Sequence, residues 1–184
     1  MKTEVSTTGL VVTLPEVKRA LRVTHDSLDM ELLSLIDAAI RTVEAWSNRT
    51  IRPEVERKIT CSRWPSYQVV QFFDPPLISV DAVKYFDSAN IEQTLDPSNY
   101  RVQVSTDGVG RLEFDGDTWD APDLYDRLDA VAYEYTSGYG LRSAIPVDLK
   151  LAVKLEVQAT FMSDEASHRA AQAFARRNEV PVYA

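Results

Sequence analysis

The spacing of apolar residues changes twice along this chain, and that double change limits the fold more than any other feature. From Leu28 to Trp46 the apolar positions Leu28, Leu32, Leu35, Ile36, Ala39, Ile40, Val43 and Trp46 recur at steps of three and four, marking one face of a long helix. Between Pro53 and Ser143 the pattern becomes short β-prone runs separated by turn residues, and this stretch holds most of the prolines, glycines and aromatics. Beyond Pro146 the helical spacing returns. The predicted fold is therefore α+β: N- and C-terminal helices packed as one bundle, with a small antiparallel β-sheet subdomain inserted between them. At 184 residues the chain suits a single domain. Its expected parts are a helical body (1–52 and 144–178), a β-rich insertion (53–143) and an extended C-terminal tail (179–184).

Local signals place the elements. "TLPE" at Thr13–Glu16 is a capping box with Pro15 in the first turn, and Val12 and Val17 are spaced as a hydrophobic staple. This predicts a short helix to about Arg22. "THDSLD" breaks the chain, with Asp26 or Ser27 expected as the next N-cap. Asn48 suits a left-handed C-cap, Pro53 forbids continuation, and Asp37 and Arg41 are spaced to pair. Strands are expected near 55–61, 68–73, 82–86, 100–104, 111–114 and 130–136. Pro146 suits the first position of a helix, and Ser163 is positioned to cap a further one, with Arg176 and Arg177 in its last turn.

Few residues ask for chemistry. A net charge of −8 opposes a role in coating nucleic acid, because phosphate neutralisation needs surplus Lys and Arg. Cys61 is the sole cysteine, so no intramolecular disulfide or thiolate cluster forms, and its alternation with Ile59 reads as a small buried apolar residue. No run of apolar residues has the length of a signal peptide or a membrane span, so a soluble protein without a membrane partner is expected. His25 and His168 lie in no nucleophile–base motif and read as surface residues; no catalytic residue is assigned. Gly138-Tyr139-Gly140 lacks the third glycine and the Gly-Lys of phosphate-binding loops, and reads as a junction completed by Pro146. Glu113, Asp115, Asp117, Asp120, Asp123, Asp126 and Asp129 are rich in oxygen ligands. Counted from Asp115, however, the sixth and twelfth positions are Asp120 and Asp126 where a calcium loop needs Gly and Glu. A solvated acidic loop is the expectation, with no metal or cofactor; a metal-dependent hydrolase or ligand-binding module using this segment is the competing reading.

The helix after Pro146 carries two apolar stripes. Leu149, Val153, Val157 and Phe161 form one; Leu151, Leu155, Ala159 and Met162 form the other. Either the helix is buried from two sides within the subunit, or the second stripe meets a neighbour.

In this order, "LVVTLPEVKRALRVTHDSLDMELLSLIDAAIRTVEAWSNRTI", "DPPLISVDAVKYFD" and "VAYEYTSGYGLRSAIPVDLKLAVKLEVQATF" resemble the phage head–tail connector (adaptor) family, in particular its longer members with a β-rich insertion. The resemblance implies a non-enzymatic virion protein of the neck, assembled in the host cytoplasm. Such adaptors form a ring, typically dodecameric, that binds the portal protein and extends the DNA channel toward a stopper or tail-completion protein. A stopper or tail-terminator position in the same neck is the alternative. DNA would pass without specific binding, in keeping with the acidic composition. Family C-terminal segments often contact the portal. The interface candidates are accordingly Leu151, Leu155 and Met162 on the second stripe, with Phe174, Arg176, Arg177, Val182 and Tyr183 in the last helix and tail. Gly138, Tyr139, Gly140 and Pro146 are the candidate hinge.

Overall fold

The computed structural model describes residues 3–8, 10–115 and 119–181. Among these residues there are four α-helices: α1 (Leu14–Leu21), α2 (Asp29–Ser47), α3 (Val147–Met162) and α4 (Glu165–Arg176). The eight strands are β1 (Thr3–Thr8), β2 (Glu54–Cys61), β3 (Val69–Phe72), β4 (Leu77–Phe86), β5 (Glu92–Thr94), β6 (Tyr100–Val104), β7 (Gly110–Phe114) and β8 (Val131–Ser137). The fold is α+β, as the spacing predicts. Two compact units divide the chain: the N-terminal strand with Glu54–Gly138, and the helical segments on either side, up to Pro53 and from Tyr139 onward.

The helical unit buries the stripe of α2 (Leu32, Ile36, Ala39, Ile40, Val43) against Leu149, Ala152, Val153 and Val157 of α3, together with Val11, Val12, Val17 and Leu21. Full burial of each large apolar side chain is worth about 1.5–3 kcal/mol, so this stripe is the main source of the unit's stability. Local chemistry sets the helix ends. The Thr13 amide donates to Glu16 Oε2 at 2.9 Å, as the capping box predicts. Arg22, at φ 58, closes α1 as a left-handed C-cap, and Asn48, at φ 49, closes α2. Arg41 and Asp37 pair at 2.7 Å.

Three helix ends differ from expectation. Leu28, not Asp26 or Ser27, occupies the N-cap of α2. Asp26 is instead engaged by Lys18 Nζ at 2.6 Å, and Ser27 Oγ lies 2.7 Å from His25 Nδ1, so neither side chain serves the helix. The N-cap of α4 is Asp164, whose carboxylate accepts from the Ala166 amide at 3.0 Å. Ser163, at φ 55, closes α3 instead; a residue with positive φ does not have the extended backbone an N-cap needs. Pro146 sits one position earlier than expected, at the N-cap of α3.

The other unit holds two sheets where one was expected. The larger has the order β1-β2-β8-β4-β5 and the smaller β3-β7-β6. β8 lies between β2 and β4, antiparallel to both, and its burial is nearly continuous because both neighbours and the core cover it. Two strands depart from the sequence reading. β1 lies in a region expected to be helical, where "TEVSTT" instead extends the sheet edge. β5 lies in a segment expected to be loop, and it is held by Asp87, whose carboxylate accepts from the Ile91 amide and from Gln93 Nε2. β4 begins at Leu77, five residues earlier than expected, because irregularities in its pairing with β8 break the two-residue alternation.

The core of this unit is aromatic. Phe72 of β3 and Tyr135 of β8 stand 4.6 Å apart, joining the small sheet to the large one. Phe114 stacks on Trp119 at 4.1 Å, and Trp64 meets both edge-on. Cys61 packs against this core, and burial pushes its thiol pKa up, away from nucleophilic character.

Candidate assembly surface

α3 builds the surface. Leu149, Val153 and Val157 are buried, and Phe161 is half-buried against the same core. The second stripe divides. Ala159 is only 7% exposed and belongs to the core side, whereas Leu151 is 37% and Met162 51% exposed and Leu155 is half-buried. Val147, 74% exposed, extends this line by one turn. Val147, Leu151, Leu155 and Met162 follow helical steps of four, four and seven, so they share one face. Val147 was not among the expected interface residues, although its place four residues before Leu151 is the signal that marks it.

Charges flank the start of this face. Arg142, Lys150 and Lys154 gather around Glu16, with Val147 and Leu151 lining the same depression. Arg142 pairs with Glu16, and Arg142 Nε donates to the Val11 carbonyl at 3.1 Å. The Glu16 carboxyl is held at a pKa of about 2, first by the Thr13 amide and then by Arg142 and Lys154. The capping residue of α1 thereby also ties α1 to the segment leading into α3.

Glu156 lies on the opposite side of α3 and is 7% exposed. His168 of α4 meets it at 2.9 Å and packs edge-on against Trp46 at 5.2 Å. His168 is therefore not a plain surface histidine. It gives a buried carboxylate a hydrogen-bond partner and joins α3, α4 and α2.

The C-terminal candidates have different surroundings. Phe174 packs against the helical core, with the Arg177 guanidinium 5.1 Å above its ring. Arg176 and Arg177 are exposed at the end of α4. The segment that follows is anchored: the Val180 amide donates to the Ser47 carbonyl at 3.0 Å, Asn48 Nδ2 to the Val180 carbonyl at 3.2 Å, and Arg49 Nε to the Asn178 carbonyl at 2.6 Å. Val182 and Tyr183 lie outside the described residues.

At the junction, Gly138 has φ 129 and Gly140 φ 70, both in the region that side chains disfavour. The division between the two units falls between Gly138 and Tyr139. The Gly138 amide donates to the Pro76 carbonyl at 2.8 Å, while those of Tyr139 and Gly140 donate to Arg52 at 3.3 Å and Pro53 at 2.7 Å. Tyr139 is half-buried against the helical core.

Two carboxylates of the acidic segment are held in separate ion pairs. Asp115 meets Arg101 at 3.1 Å and Asp129 meets Arg127 at 2.6 Å; Asp117 lies outside the described residues. Among the described residues no three His, Cys, Asp or Glu side chains converge as a metal site, and no helix is long and apolar enough to cross a membrane.

These features define an α+β fold with an inserted pair of sheets and one apolar helix face left open. The same fold is found in solved structures of gene transfer agent particles. A chain in the neck of an empty gene transfer agent particle, computed with C6 symmetry, superposes with a TM-score of 0.77 at 21% identity, covering 98% of this chain and 97% of that one. A chain in the virion of the native gene transfer agent gives 0.77 at 23% identity, with 100% and 98% covered. One in the native neck, computed with C12 symmetry, gives 0.74 at 23% identity over the same shares. No protein-family model matches the chain, and no curated protein matches it.

Proposed function

We propose that this chain is a structural neck protein of a phage-like particle: an adaptor subunit that forms a ring beneath the portal and extends the DNA channel toward the stopper or tail. The observation that carries the reading is the correspondence of fold over essentially the whole of both chains with chains from the gene transfer agent neck and virion. The symmetry of those assemblies favours a ring of identical subunits here. The role is non-enzymatic, with the helical bundle as ring body and the β-rich part as an insertion in a single adaptor-like unit. Three features support it physically. The open face of α3 offers apolar surface that a neighbouring subunit would cover. Exposed Arg176 and Arg177 offer a basic contact for the portal. A net charge of −8 lets DNA pass without adhering to the channel wall.

The test is reconstitution with the cognate portal protein, followed by electron microscopy and cross-linking. The adaptor reading expects a ring docked on the portal and portal cross-links from α4 and the tail. Cross-links to tail proteins alone would assign the stopper or terminator position instead, and absence from the neck would overturn the proposal.

A further inference from the structure

The small sheet β3-β7-β6 ends in two strands that are unpaired on their outer sides among the described residues. Hydrogen bonds from the Asp115 amide to the Asn99 carbonyl, and from the Ser105 amide to the Val109 carbonyl, set the parity of the β6–β7 ladder. The residues of β6 that bond to β7 are therefore Arg101 and Gln103, and Val102 and Val104 direct their N–H and C=O groups away from the sheet. On the opposite edge, the Phe114 amide donates to the Gln68 carbonyl. Val70 and Phe72 thus bond to β7, and Val69 and Gln71 present their backbone groups outward.

The side chains make the β6 edge more than a bare ladder. Val70, Leu112 and Val102 stand in one cross-strand row, and Phe72, Gly110 and Val104 in another, on the face that carries the core. Leu112 and Phe72 are buried there, yet Val102 is 40% and Val104 50% exposed. The core face continues to the edge and stops uncovered. Natural sheets usually shield such an edge with charge, proline or a bulge, and β6 has a regular register with β7 and only one charged residue, Arg101, on the other face.

We infer that β6 of one copy pairs in parallel with β3 of the next, joining the small sheets edge to edge around the ring. The inference rests on the ring reading above. The two edges fit: Val102 N–H meets the Val69 carbonyl of the next copy, and the Val102 carbonyl meets its Gln71 N–H. This register sets Val102 beside Val70 and Val104 beside Phe72 of the next copy, so both core rows run on across the junction. Strand directions agree, because β3 and β6 are each antiparallel to β7 and hence parallel to one another. Because the two edges differ, the contact is head-to-tail, the kind that closes into a ring.

The same register brings Gln103 beside Gln71 of the next copy on the outer face. Within one copy these residues flank Arg111, two strand spacings or roughly 9.6 Å apart, too far for a disulfide. The experiment uses the full chain with Cys61→Ser, carrying Gln71→Cys and Gln103→Cys together or singly, reconstituted with its portal and mildly oxidised. The same samples are imaged. The double variant is expected to shift from monomer to a ladder of disulfide-linked multimers, and each single variant to stay monomeric. Rings without a ladder would overturn the strand pairing and leave the ring reading standing. Dimers from Gln103→Cys alone would show two β6 edges meeting and overturn the head-to-tail register. Neither rings nor ladder would overturn both.

Discussion

Val147→Asp separates folding from assembly more cleanly than any other change on the α3 face. Val147 is the first residue of the helix and is 74% exposed, so the isolated subunit buries little of it. An aspartate there meets the positive end of the helix dipole, worth about 0.3–1 kcal/mol, partly offset by the neighbouring Asp148. A change at so exposed a position is expected to leave subunit stability within roughly 0.5 kcal/mol, or about 1–2 °C in Tm for a chain of this size. Assembly is different. Covering the exposed part of Val147 contributes about 2 kcal/mol at 25 cal/mol per Å². A carboxylate in its place adds a desolvation penalty of several kcal/mol. A combined loss of at least about 3 kcal/mol weakens each subunit contact more than 100-fold. Thermal unfolding and ring yield on the portal, measured on one preparation, read the two effects separately. Undiminished ring yield would place Val147 outside any interface; a Tm drop of many degrees would place it in the core.

Other changes probe other parts of the account. Leu155→Asp should reduce assembly as well, but with some loss of subunit stability because Leu155 is half-buried; complete unfolding of the isolated variant would assign it to the internal core. Gly138→Val forces a β-branched residue to φ 129 and should destabilise by about 1–3 kcal/mol, seen as a fall of several degrees in Tm. An unchanged Tm would dismiss that backbone conformation. The folded-state pKa of Glu16, about 2, lies below the ordinary 4.5, so its stabilising effect is complete above pH 4.5 and fades as pH falls toward 2. Glu16→Gln should therefore be less stable than wild type at pH 7, with the gap narrowing through that window; a gap constant with pH would remove Glu16 from the account.

Much of the helical unit is legible in the sequence because its determinants are local. The stripe of α2, the Glu16 cap and the turn at Asn48 each depend on residues within a few positions of one another. β6 is also legible, since its period of two is unbroken. What escapes depends on distant partners. β1 has no core pattern of its own and becomes a strand by pairing with β2, and β5 is a three-residue strand organised by Asp87. Asp26 carries the right chemistry for an N-cap and is diverted by Lys18, a competition that sequence spacing does not show. The same applies to the candidate surface. Two stripes on α3 are visible as spacing, and Val147 is marked by its place four residues before Leu151, but only packing reveals that Ala159 turns inward and that Phe174 serves the core of its own subunit. The uncovered core rows of β6 are likewise invisible until the strands are placed in register.

The most direct measurement is a reconstruction of the neck of the particle that carries this chain. The account predicts a ring of this protein between portal and tail, its α3 faces covered by neighbouring copies. A neck in which the chain is missing, or in which it stands as isolated subunits with Val147, Leu151 and Met162 open to solvent, would contradict it.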